Sequence, residues 1–102
     1  MRLTRDQLRR CTRELRALVN RYDPFGLMAA GAPEDEYADV VGPLLRRLEE
    51  GQSAPSIAHW LQTAIGAHYG SVPAHAEQLA AAAVAWFAAG WPGADRVSSR
   101  ES

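Results

Sequence analysis

The sequence holds one cysteine, Cys11, which excludes an intrachain disulfide framework and any multi-cysteine zinc site. Long apolar runs are missing as well. The longest, residues 79–89, is mostly alanine and about half of the roughly 20 residues that a bilayer-spanning helix needs. It reads as a buried helix. Residues 1–6 carry arginine with no apolar stretch behind it, so no secretory signal is read and the expected compartment is the cytosol. Lysine is absent: all eleven basic residues are arginine, which, with the abundant alanine, fits the codon bias of a GC-rich genome.

Catalytic and cofactor signatures are absent in the same way. His59, His68 and His75 are nine and seven residues apart, with no second His or acid four residues from any of them, so they lack metal-ligand spacing. No glycine-rich loop of the phosphate-cradling kind occurs, and Ser71, Ser98 and Ser99 lie outside any nucleophile-elbow pattern. Cys11 falls on an apolar helix face without an activating neighbour and reads as a small core residue. The expectation is a protein without enzyme activity and without a cofactor.

What is present is an ordinary globular composition, 47% hydrophobic and 23% charged over 102 residues. That fits one domain with a single modest core, here residues 1–93, followed by a polar tail at 94–102. The formal net charge of −1 hides an uneven distribution. Residues 1–22 hold seven arginines against Asp6 and Glu14, whereas residues 23–50 hold seven acids against Arg46 and Arg47.

Four helices follow from the periodicity. Over residues 4–21, Thr4 and Gln7 make a capping box, Leu3 and Leu8 a hydrophobic staple. Leu8, Cys11, Leu15, Leu18, Val19 and Tyr22 recur at helical spacing, and Arg5, Arg9, Arg13 and Arg16 form a basic stripe opposite. Asp6 with Arg10, and Arg10 with Glu14, have ion-pair spacing. Asp23-Pro24 ends this helix. A second is expected to begin near Pro33, with Glu34, Asp35 and Glu36 in its first turn, and to reach Gly51 either kinked at Pro43 or as two short helices in line. Ser53 caps a third, carrying Ile57, Trp60, Leu61, Ala64, Ile65, His68 and Tyr69 on or near its apolar face and stopping at Gly70. The fourth opens at Pro73 and runs through Leu79, Ala83, Trp86 and Phe87 to Gly90 or Pro92-Gly93, with Trp91 adding bulk. The fold class is all-α, a compact antiparallel bundle.

The stretch that helix propensity does not explain lies between the first two helices. It runs from Tyr22-Asp23-Pro24-Phe25-Gly26 through a Gly/Ala spacer to Pro33-Glu34-Asp35-Glu36-Tyr37, with Asp39 close behind. Asp23 with Asp35 or Glu36 is expected to cap backbone N–H groups or to pair with arginines of the first helix, while Tyr37 packs beneath. Asp35 and Asp39, four apart, have a spacing that suits a divalent cation or a negative patch, though acids at a helix start need no ligand. The leading reading is a non-enzymatic protein-protein interaction module using the acidic surface at 34–39, as an immunity or regulatory partner would, with a basic protein as its mate. Two alternatives are a small-ligand or metal site between the Asp-Pro loop and the helices, lined by Phe25, Tyr37, Trp60 and Tyr69, and weak nucleic-acid binding through the arginine stripe. No membrane partner is expected, and a homodimer stays open through the aromatic end of the fourth helix.

Tyr22-Asp23-Pro24, Gly26 and Pro33-Glu34-Asp35-Glu36-Tyr37, followed by Val41, Leu45, Leu48, Leu61 and Gly70, resemble the YugE-like family of small bacterial proteins. The likeness covers roughly residues 15–70. It departs at Tyr22, where that pattern has Trp, at Pro43, and in the alanine-rich fourth helix. The resemblance implies an all-α fold and no particular reaction; similar motifs occur in immunity partners encoded beside bacterial toxins.

Overall fold

The structure is a computed structural model and describes residues 4–89. The expected staple residue Leu3, the stop signals at Gly90 and Pro92-Gly93, Trp91 and the tail at 94–102 lie outside the described residues. Within them the fold is all-α: α1 (Arg5–Tyr22), α2 (Ala38–Glu49), α3, and α4 (Ala76–Ala88). The third helix is built of three consecutive segments, Ala54–Trp60, a π-helical Leu61–Ile65, and Gly66–Tyr69.

α1 starts at the capping box. Gln7 N–H donates to Thr4 Oγ1 at 3.1 Å and Thr4 N–H to Gln7 Oε1 at 2.9 Å, which satisfies two of the donors a helix start leaves free. Cys11, Leu15 and Val19 are buried, and Leu18 and Tyr22 pack partly against the same core. Leu8 departs from the expected apolar stripe at 45% exposed. It lines a surface hollow with Arg9, Thr12, Arg13 and Arg16 instead.

The second helix begins five residues later than expected, at Ala38. Residues 33–37 form successive tight turns, with Glu36 N–H donating to Pro33 O and Ala38 N–H to Asp35 O, both at 3.0 Å. The first i→i+4 bond joins Val41 N–H to Tyr37 O at 3.1 Å. Burial of Tyr37 competes here with helix propensity and wins, so only Asp39 is an acid in the first turn. Pro43 neither splits nor ends the helix. It lies on the exposed side, so the ladder bond it forfeits leaves only a carbonyl that water can reach. Beyond Glu49, Gly51 takes φ +79° and Gln52 N–H closes the end on Arg47 O at 3.1 Å.

Ser53 caps α3 by accepting from Ser56 N–H at 3.3 Å. In its middle, Gly66 N–H reaches back to Leu61 O, the wider π turn. Each residue of such a turn advances less than the ~100° of an α-helix, so the buried stripe shifts along the sequence. Ile57, Ala58, Trp60, Leu61, Ile65 and Gly66 are buried, whereas Ala64 and His68, expected on or near the apolar face, are exposed. A Cβ on Gly66 would lie 3.0 Å from Ser71 O, which is why the chain can turn so closely there.

The last helix starts at Ala76 rather than at Pro73. Pro73 is buried in the preceding loop, Ala74 N–H donates to Pro24 O at 2.7 Å, and His75 sits at φ +61°. That loop is held by the Asp-Pro segment, and the helix waits for it to finish. Leu79, Ala80 and Ala83 then enter the core with Leu15, Tyr37, Leu44, Ile57 and Leu61, the alanines letting α4 lie close against α3. Among the described residues no helix is long and apolar enough to cross a membrane.

Candidate functional site

The connection between α1 and α2 is built on Asp23. Its backbone takes the left-handed conformation at φ 48°, a geometry that Asp tolerates better than most residues, and its N–H donates to Val19 O at 2.8 Å. The carboxylate turns inward over its own loop. Oδ1 accepts from Met28 N–H at 2.9 Å and from Tyr37 Oη at 2.7 Å, while Oδ2 accepts from Ala29 N–H at 3.0 Å. Tyr37 Oη in turn accepts from Phe25 N–H at 2.9 Å and, more weakly, from Leu27 N–H at 3.4 Å. Two side-chain groups therefore close four backbone N–H groups that no helix or sheet satisfies.

The ionisation of this pair follows from the same geometry. Desolvation opposes charge on Asp23, but the bonds from Met28 N–H, Tyr37 Oη and Ala29 N–H, with the nearby Leu27 N–H dipole, outweigh it and hold the carboxyl below its usual range. Burial first, and then the hydrogen bond to Asp23, push the Tyr37 phenol up to about 12, against the opposing pull of the Phe25 and Leu27 N–H groups. At neutral pH the pair is a carboxylate and a neutral phenol. It is a brace rather than an acid/base dyad.

The remaining residues of the motif complete the brace. Pro24 is buried and Tyr22 half-buried, and Gly26, at φ +69°, donates its N–H to Asp23 O at 3.0 Å. Phe25 stacks on Tyr69 at 4.4 Å between ring centroids, with Tyr37 at 6.5 Å from the first ring and 6.2 Å from the second. These three rings pack against one another between the Asp-Pro loop and the helices. Trp60, expected to line a pocket with them, carries the Arg47 guanidinium 4.4 Å above its ring.

The acidic turn sits on top of this platform and faces outward. Pro33, Glu34, Asp35, Glu36 and Asp39 are all exposed. Asn20, a residue with no distinguishing sequence signal, fixes the turn by donating from Nδ2 to Glu34 O at 2.8 Å. Arg16 reaches Glu34 Oε1 at 3.5 Å and His68 Nε2 reaches Asp39 Oδ2 at 3.5 Å. Among the described residues the side chains of Asp35 and Glu36 meet no partner, so the caps or arginine pairs expected of them are not formed there; Glu34 is the acid of this turn that pairs with α1. Their negative field is nonetheless felt. Burial, then the charges of Asp39 and Glu36, raise the Tyr69 phenol above its ordinary value.

The basic stripe of α1 stands beside this surface. Arg5, Arg9 and Arg13 are exposed, and Arg16 is half-buried against Glu34. Asp6 pairs with Arg9 at 3.8 Å rather than with Arg10, and Glu14 accepts from Trp86 Nε1 at 3.0 Å rather than from Arg10. Cys11 is enclosed, and burial, followed by the nearby Glu14 and Glu49, pushes its thiol up to about 11. That is the opposite of an activated nucleophile. Among the described residues, no group of three or more His, Cys, Asp or Glu is arranged to hold a metal ion. No protein-family model, curated protein or solved structure matches the chain.

Proposed function

We propose that the protein is a non-enzymatic interaction module that presents its acidic turn to a basic protein partner, as an immunity or regulatory subunit does. The observation that supports this reading is the pairing of rigidity with unspent charge. Asn20 and Tyr37 fix the backbone of residues 33–37 from below, while the Asp35 and Glu36 carboxylates project with no hydrogen-bond or ion-pair partner among the described residues. Acids in a helix's first turn stabilise it by about 0.3–1 kcal/mol each, but the late start of α2 takes Glu34, Asp35 and Glu36 out of that position. A backbone already held in place loses little conformational entropy on binding, and the field of its carboxylates steers a cationic surface toward them. The resemblance to the YugE-like family, with its likeness to immunity partners, points the same way.

The test is affinity purification of the tagged protein from its own cells at low and moderate salt, with mass spectrometry of what remains bound. A stoichiometric basic protein is expected, released by salt and absent with the Glu34→Gln/Asp35→Asn/Glu36→Gln variant. Capture that survives this neutralisation would overturn the reading.

A further inference from the structure

Two residues on the exposed stripe of α2 have no explanation inside the fold. Gly42 and Pro43 lie in the interior of a continuous helix, although they are the two poorest helix formers. Both are exposed. A Cβ on Gly42 would meet nothing within 4 Å, and its φ lies outside the left-handed region, so neither packing nor backbone geometry asks for glycine there. What the pair creates is a bare patch at mid-helix, where another backbone can approach closely.

The charges around the patch are arranged symmetrically. Asp39 lies three residues before Gly42 and Arg46 three residues after Pro43, both exposed, seven apart and so on one line of the helix. Among the described residues Arg46 has no ion-pair partner and Asp39 pairs with the exposed His68 alone, at 3.5 Å. Rotated by half a turn about an axis that passes between Gly42 and Pro43 perpendicular to the helix, the stripe complements itself: acid falls on base at both ends.

We propose that α2 is the contact face of a homodimer, in which two copies cross at Gly42-Pro43 and Asp39 of each chain faces Arg46 of the other. This is an isologous contact, closed by its two-fold axis. Farther out, Glu36 of one copy approaches Glu49 of the other, and an oblique crossing, at about −50° in the commonest packing class, carries those like charges apart. A single pair of crossing helices covers less than the roughly 1,200 Å² of a stable interface, so the dimer is weak and salt-sensitive.

Sedimentation equilibrium of the whole chain between about 5 and about 500 μM at low salt reads this directly by mass action. The average mass is expected to climb from the single-chain 11.1 kDa toward twice that value. Asp39→Arg and Arg46→Asp each place like charges opposite one another and hold the mass at one chain; mixed in equal amounts the two variants are complementary, and the dimer returns. Recovery on mixing also shows that both variants fold. Gly42→Leu, which has room in the single chain, abolishes the dimer by filling the crossing point. Wild-type mass that stays at one chain throughout, single variants that associate like wild type, or a mixture that fails to recover would each overturn the proposal. The acidic turn at 34–36 is untouched by these substitutions, so the outcome is independent of its reading as a partner site.

Discussion

Two adjacent stretches of one connection use acidic residues in opposite ways. In residues 23–31 the Asp23 carboxylate turns inward and accepts three hydrogen bonds, whereas in residues 33–37 the Asp35 and Glu36 carboxylates accept none among the described residues. Both stretches are short, polar and rich in turn residues. The difference lies in Tyr37, whose buried hydroxyl offers Asp23 a partner and leaves the acids before it outside. An acid that closes backbone N–H groups is part of the fold, and one that closes nothing is free to meet another molecule.

Breaking the inward half should have the largest effect. Asp23→Ala removes the acceptor of Met28 N–H, Ala29 N–H and Tyr37 Oη and asks alanine to hold φ 48°, so urea denaturation should show a loss of about 3 kcal/mol. A loss under about 0.5 kcal/mol, the level of an ordinary surface change, would deny the brace. Tyr37→Phe keeps the ring and deletes the oxygen that serves Phe25 N–H and Asp23; about 2 kcal/mol is expected from the unpaired groups. Asn20→Ala cuts only the tie to Glu34 O and should lower stability by about 1 kcal/mol, with faster amide exchange confined to residues 33–37. Smallest of all, Asp35→Asn with Glu36→Gln should stay within about 0.5 kcal/mol. If that pair proved costly, the contrast between the two stretches would fail.

The pH dependence separates the same groups. The folded carboxyl of Asp23 lies below its ordinary 3.8, so its contribution is present above that value and is lost as pH falls through the lower, folded value. Tyr37 behaves oppositely: with its phenol raised from 10.0 to about 12, its contribution is complete below pH 10 and disappears as pH rises toward 12. Stability measured across pH should therefore fall at both extremes in the wild type. In Tyr37→Phe the alkaline fall should shrink.

Much of this architecture was legible because it depends on local chemistry. Thr4 and Gln7 announce the start of α1, Ser53 that of α3, and Gly51 and Gly70 adopt the left-handed turns their positions imply. The late start of α2 was not legible, because Pro33-Glu34-Asp35-Glu36 is a good helix opening by every local rule. It is overruled by where the Tyr37 hydroxyl must reach. Asn20 and Ala74 gave no signal either, since their partners, Glu34 O and Pro24 O, are backbone atoms remote in sequence. The π turn at Leu61–Ile65 escaped as well, for it changes which residues face inward without changing their identity.

Composition, caps and apolar spacing thus determined by themselves that the chain is all-helical, where α1 and α3 begin and end, and that its charge is divided between α1 and the segment after it. Only the tertiary structure decided which acids point inward, that three aromatic rings pack against one another beneath the loop, and that the bare stripe of α2 faces outward. Caps and periodicity act between residues within one or two turns of each other, whereas burial and hydrogen-bond satisfaction are settled among groups that meet only when the helices pack.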